Sequence, residues 1–229
     1  MKLLYQDEYF VAIEKPSGFH VHPPEDGYPV PREKICLYQV RDMLGQHVFP
    51  VHRLDAGTSG VLLFALSSES AREVSRLFAE RLTKKTYHAV VRGYTPVEGD
   101  IHIPLELDST GVAVEAHTSF KRLATIEFPI PVGKKFPTAR YSMIEAKPHT
   151  GRFHQIRRHL NRITHPLLGD SYHGDSRHNQ FFRNHLGIEG LCLKAVHLEF
   201  IHPWTKTNIS ITAPECEKWN KIQLLFTPP

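Results

Sequence analysis

The sequence predicts an α+β fold, and three observations carry that expectation. Strand-like runs outnumber helical ones and do not alternate with them, which argues against a doubly wound parallel sheet. Short apolar runs are bounded by turn residues, as when Gly57-Thr58-Ser59-Gly60 leads into Val61-Leu62-Leu63-Phe64-Ala65-Leu66, the mark of buried strands. No Gly/Ser or Pro-rich linker divides the 229 residues, so one domain spanning 1–229 is expected.

Leu3 to Glu14 mixes aromatic and β-branched residues ahead of Lys15-Pro16 and reads as a strand closed by a turn. Pro23 to Pro31 holds four prolines and Gly27, so an irregular loop is expected. Ser67 or Ser68 can cap a helix in which Ala71, Val74, Leu77, Phe78 and Leu82 recur at helical spacing. Lys85 to Tyr94 reads as a strand. Gly99 to Lys135 alternates weakly and is broken by Asp108-Ser109-Thr110-Gly111, Pro129, Pro131 and Gly133, so no element is assigned there. Tyr141 to Lys147 is strand-like, and a helix follows with an apolar stripe of Phe153, Ile156, Leu160 and Ile163. On that helix Arg157 borders the stripe and can reach inward, whereas Arg158 points further out. Leu191 to Ile201 and Asn208 to Ala213 read as strands joined through His202-Pro203-Trp204, and Glu215 to Phe226 closes the chain as an amphipathic helix.

Hydrophobic residues are 41% of the chain, in runs that can fill a core but are too short to cross a bilayer. The first seven residues lack a signal peptide's apolar core. Cys36, Cys192 and Cys216 are odd in number and widely spaced, and read as reduced cytoplasmic thiols. A net charge of +4 is mild, but its distribution is informative. From Ala146 to Gly169 there is no acid, while Lys147, Arg152, Arg157, Arg158 and Arg162 stand among His149, His154, His159 and His165. A solvated helix face mixes signs, so this run favours a phosphate-facing surface. The sixteen histidines invite a metal, and His20-Val21-His22 could set two imidazoles on one strand face. Without His-Glu-x-x-His, Cys-x-x-Cys or a third ligand at metal-site spacing, no metal is expected. Gly57-Thr58-Ser59-Gly60 misses the serine-nucleophile spacing because Val61 takes its last position. No Gly-rich phosphate loop occurs, so no nucleotide cofactor is expected.

Asp55 is the only carboxylate between Met43 and Ser68, and it follows His52-Arg53-Leu54 at the edge of a predicted strand. By itself it reads equally as a turn aspartate before Gly57 or as a working carboxylate. His52-Arg53-Leu54-Asp55, with Thr58-Ser59-Gly60-Val61, resembles the catalytic signature of the RluA family of RNA pseudouridine synthases. The resemblance recurs in order at Lys15-Pro16-Ser17-Gly18, at Lys85-Thr86-Tyr87, at Thr150-Gly151-Arg152-Phe153-His154-Gln155-Ile156-Arg157, and at His165-Pro166-Leu167-Leu168-Gly169-Asp170. Gln46-His47-Val48-Phe49 and Gly169-Asp170-Ser171-Tyr172-His173-Gly174-Asp175 are most similar to members that act on tRNA at uridine 65.

That resemblance implies a mixed, mostly antiparallel sheet flanked by helices, with an active-site cleft across the sheet. It implies a cofactor-free isomerisation in which uracil leaves the ribose, turns and rejoins through C5. The catalytic residues it implies are Asp55, Tyr87 and Arg157. Asp55 would capture or stabilise the detached sugar or base, acting at C1′ or at C6. Arg157 would keep the nucleophilic carboxylate ionised in a pocket that excludes water, and Tyr87 would pack on the uracil and help remove the C5 proton. Taken singly, Arg157 also reads as a surface helix arginine and Tyr87 as a half-buried strand tyrosine. Arg53 matches the residue that helps turn the nucleotide out of its stack. Arg152, Arg158 and Arg162 are expected to face RNA phosphate, and Lys15 either braces its turn or does the same. The first motif begins at Lys15, so no appended S4-type RNA-binding domain is expected. The expected partner is tRNA, with ribosomal RNA as the alternative, and a cytoplasmic monomer is expected. Two rival readings remain: a glycosidase-type hydrolase pairing Asp55 with Asp170 or Asp175, and a catalytically silent RNA-binding module served by the basic helix alone.

Overall fold

The structure, a computed structural model, describes all residues except 25–26, 108, 134–135 and 228–229. In chain order the elements are β1 (Lys2–Gln6), β2 (Phe10–Lys15), a 3-10 turn (Arg32–Lys34), α1 (Cys36–Leu44), β3 (Phe49–Pro50), β4 (Ser59–Ala65), α2 (Ser68–Ala79), β5 (Lys84–Arg92), β6 (Glu98–Ile101), β7 (Leu105–Glu106), β8 (Ala113–Val114), β9 (Thr118–Phe128), β10 (Ala139–Pro148), α3 (Gln155–Arg162), α4 (Ser176–Leu186), β11 (Leu193–Ile201), β12 (Asn208–Thr212) and α5 (Glu217–Phe226). They form two compact units, Met1–Lys85 with Lys194–Pro214, and Thr86–Leu193 with Glu215–Pro229. The α+β expectation holds, with helices against mixed, mostly antiparallel strands.

In the first unit the strand order is β1-β2-β4-β11, with β12 on β11 and β3 on β4. Only β4 and β11 pair in parallel among these strands. Val61, Leu63 and Ala65 alternate onto a core with Phe10, Ala12, Val74, Leu77 and Phe200. Gly60 has φ 115°, and a Cβ there would lie 2.0 Å from the Ala195 oxygen, so β4 meets β11 where only glycine fits. The single strand expected over Leu3 to Glu14 is a hairpin. Asp7 makes the turn without Gly or Pro, its Oδ1 accepting the N–H groups of Tyr9 and Phe10 at 2.7 Å each. Ser67 caps α2 by accepting the Ser70 N–H. The helix ends at Ala79, so Leu82 lies outside it and is exposed. His20 and His22 share no strand face: His20 makes an isolated bridge to Ile35, and His22 lies in a bend with Nδ1 against the Pro23 oxygen. The rest of the Pro23 to Pro31 segment is irregular as expected, residues 25–26 lying outside those described.

In the second unit β5-β10-β9-β6 run antiparallel, and β7 and β8 form a separate hairpin. One sheet face, with Ala89, Val91, Phe120 and Ile144, packs on Ile156 and Leu160 of α3. The other, with Val90 and Tyr141, packs on Phe181 and Phe182 of α4 and on Trp219 and Ile222 of α5. Among its described residues the faintly patterned Gly99 to Lys135 stretch thus carries β7, β8, β9 and all but the first residue of β6, with Asp108, Lys134 and Lys135 lying outside those described. Its pattern is weak because from Lys121 onward β9 has no fully buried residue. The helix expected from Phe153 begins at Gln155. His154 takes the left-handed conformation (φ 51°), and Phe153 is exposed and stacked on the His154 ring rather than on the core.

Candidate active site

In the first unit Asp55 opens a tight turn, its carbonyl accepting the Thr58 N–H at 3.0 Å just before β4. Arg53 is exposed, Leu54 is buried and Asp55 is half-buried. The turn is gripped from the Lys15-Pro16-Ser17-Gly18 segment through its main-chain oxygens. Ala56 O accepts from the Gly18 N–H at 2.8 Å and from Lys15 Nζ at 3.0 Å, and Gly57 O accepts from Ser17 Oγ at 2.8 Å. Lys15 also donates to Pro16 O and is fully buried. Burial pushes its pKa down to about 8, with Asp55 and Cys36 nearby offsetting part of the drop. The assignment of Lys15 to RNA phosphate is therefore corrected: it has no surface to offer a phosphate, and it braces the Asp55 turn. His52 adds a second anchor, its Nε2 accepting the Leu63 N–H at 3.0 Å while its ring stacks on Phe78. Burial, with Lys85 nearby, lowers the His52 pKa to about 3, which suits a ring nitrogen that must accept.

In the second unit Arg157 is buried, as its helical phase predicted, and it makes a bidentate pair. Its Nε and Nη2 donate to the two Asp170 oxygens at 2.7 and 2.8 Å. Asp170 Oδ1 also accepts the N–H groups of Tyr172 and His173, both at 2.9 Å. Burial alone would raise the Asp170 pKa, but these donors outweigh it and hold the carboxyl below its usual range. Gly169 sets the approach: at φ 74° a Cβ would fall 1.9 Å from the Gly190 oxygen. Tyr87 on β5 is half-buried and packs on the core face that also receives α3. Gln155, quoted within a motif but given no role there, ties down the start of α3. Its Oε1 accepts from Thr150 Oγ1 and the Arg152 N–H, and its Nε2 donates to His117 O and Thr118 Oγ1.

The other cations of the basic helix region have protein partners. Arg152 donates to Glu115 O, Arg158 to Glu106 O and Arg162 to Pro104 O, and His159 Nε2 lies 2.9 Å from Ile103 O. All four acceptors belong to the segment around the β7/β8 hairpin. Neither acid of the hydrolase alternative is suited to proton donation. Asp170 is spent on Arg157, and Asp175 accepts from Arg92 at 2.6 Å and from the Arg177 N–H that opens α4.

The motifs from Lys15 to Arg157 fall within a match to known proteins. Residues 9–162 match the sequence profile of the RNA pseudouridylate synthases. The chain belongs to the RNA pseudouridylate synthase family. tRNA pseudouridine synthase C of Vibrio parahaemolyticus is 46% identical over 99% of this chain and 94% of its own length. The protein of that name from Vibrio cholerae is 44% identical over 97% of this chain and 94% of its own length. Among solved structures, human RNA pseudouridylate synthase domain containing 4 superposes with a TM-score of 0.74 at 22% identity, covering 98% of this chain and 92% of that one. Human RNA pseudouridylate synthase domain containing 1 gives 0.72 at 21%, covering 100% and 95%. These two show the pseudouridine synthase fold. The silent-module reading falls with the family assignment, since family members are enzymes that isomerise uridine in RNA. No helix among the described residues is long and apolar enough to cross a membrane.

Proposed function

We propose that this synthase converts a uridine of tRNA, number 65, to pseudouridine, and that residues 1–229 serve as its catalytic domain. What carries the reading is the braced Asp55 turn in a chain 46% and 44% identical, nearly end to end, to proteins named tRNA pseudouridine synthase C. In the reaction the N1–C1′ bond breaks, the uracil turns, C5 bonds to C1′, and the proton lost from C5 is balanced by one gained at N1. Atoms and electrons balance without a cofactor. Asp55 supplies the negative charge that meets the detached sugar or base. Arg157 supplies positive charge, held in place by Asp170, and Tyr87 packs on the uracil and assists removal of the C5 proton. Exposed Arg53 fills the space left by the flipped nucleotide.

The test is to incubate the protein with unmodified tRNA transcript and with ribosomal RNA, in excess chelator, and map the product. Pseudouridine at position 65 of the tRNA, with no uracil released, is expected. Product confined to ribosomal RNA overturns the substrate, and free uracil overturns the isomerisation.

A further inference from the structure

Beyond the catalytic reading, the second unit gathers three metal-binding side chains that lie far apart in sequence. Asp100 is on β6, His117 immediately precedes β9 and His149 immediately follows β10. The ladder aligns them, pairing Asp100 with Ser119, and Pro148 with Thr118. One carboxylate oxygen and one ring nitrogen from each histidine lie within 4.8 Å of one another. We infer that Asp100, His117 and His149 form a binding site for one divalent transition-metal ion of the zinc type.

The geometry is pre-set before any ion arrives. The His117 N–H donates to Thr150 Oγ1 at 3.0 Å, and its carbonyl accepts from the His149 N–H and from Gln155 Nε2, both at 2.9 Å. The two histidine backbones are thus tied to each other and to the start of α3. Their rings stack at 4.1 Å, with His102 stacked on the other ring contact of His117 at 3.8 Å. Asp100 Oδ1 lies 2.7 Å from His117 Nε2, and Ser119 Oγ lies 2.9 Å from His149 Nε2. An ion pair needs one acid and one imidazole, and this cluster supplies two further imidazoles beside them. Tetrahedral zinc, with bonds of about 2.0–2.2 Å to N and O, sets its ligand atoms roughly 3.3 Å apart. Small side-chain rotations at these strand ends close that gap, and water completes the shell. Two imidazoles and one carboxylate select zinc or its neighbours over magnesium and calcium, which prefer all-oxygen shells. Ser119 would serve as an outer partner that orients a ligand ring.

The full chain, stripped with chelator and desalted, is titrated with zinc chloride by calorimetry, and separately with cobalt(II) while the visible spectrum is recorded. One zinc per chain is expected, along with an intense four-coordinate cobalt band and no competition from excess magnesium. Asp100→Asn and His149→Ala should each weaken zinc binding at least tenfold, whereas His185→Ala on α4 should leave it unchanged. Absence of saturable zinc binding, or a weak six-coordinate cobalt spectrum, overturns the site even if a variant misfolds. So does undiminished affinity in a folded Asp100→Asn/His149→Ala double variant.

Discussion

Asp55 and Asp170 are both carboxylates in family motifs, but Asp170 sits in a buried ion pair and Asp55 in a half-buried turn. Asp170 is fixed through its own carboxylate oxygens, which take two guanidinium bonds and two backbone N–H bonds in a buried setting. The contacts that fix the Asp55 turn instead grip main-chain oxygens of Ala56 and Gly57, from a buried lysine and a neighbouring turn. Asp170 invests its charge in the local structure, whereas the turn that presents Asp55 is fixed through its backbone, so removing the Asp55 charge leaves those turn contacts in place. The contrast predicts that the two aspartates fail differently when their charge is removed.

Asp55→Asn should cut pseudouridine formation by on the order of 10³-fold or more, because the amide keeps the shape but not the charge. The fold should survive with a smaller loss of stability than Asp170→Asn causes, because the backbone contacts of the turn remain, and tRNA binding should survive. Single-turnover assays alongside denaturant melts check both halves. Asp170→Asn should instead lower stability by about 3–5 kcal/mol, since it strands a buried guanidinium, and activity should fall with the fold. Equal destabilisation by the two substitutions would erase the distinction. The supports also respond to opposite ends of the pH range. The depressed Asp170 pKa contributes stability above the unfolded carboxyl value, and that contribution is lost as pH drops through the folded value.

Lys15 gives the same direction of pH dependence in an alkaline window, for a different reason: burial disfavours its charged form. Its folded pKa of about 8 lies below the ordinary 10.5, so the unfolded chain binds more protons between those values. Stability relative to Lys15→Met should therefore rise across that window, by on the order of 1–3 kcal/mol. Paired melts at pH 7 and pH 10 measure it, and a flat difference would mean that Lys15 is hydrated. Because Lys15 positions the turn, Lys15→Met should also lower kcat more than it raises KM.

The legibility of the sequence follows the same physics. The apolar run of β4, the Ser67 cap of α2, and the strands β5, β10 and β11 were readable because each writes its burial or its cap into adjacent residues. Helix α1 escaped notice because Ile35 offers no side-chain cap, and α4 because only Phe181 and Phe182 are buried along it. The inward aim of Arg157 was readable from helical phase, but its partner was not. Asp170 lies 13 residues on, beyond the end of α3, and the pair exists only because Gly169 turns the chain against Gly190. The Asp100, His117 and His149 cluster was still less visible, since strand register alone assembles it.

The smallest effects expected, and the sharpest test of the basic helix, come from Arg158 and Arg162. A guanidinium carries five N–H donors, so one bond to Glu106 O or Pro104 O leaves others able to meet phosphate. Arg162 is exposed and Arg158 half-buried, so Arg162→Ala should reduce the salt slope of tRNA binding by about one, and Arg158→Ala by less. Each loss should cost only about 0.5–1.5 kcal/mol of stability and should speed amide exchange around the β7/β8 hairpin. Arg157→Ala should leave the salt slope alone, since the buried guanidinium presents little surface to a phosphate. Were both exposed-side variants to speed exchange without moving the slope, these cations would be fasteners for the hairpin, and the phosphate-binding surface would have to be sought on other residues.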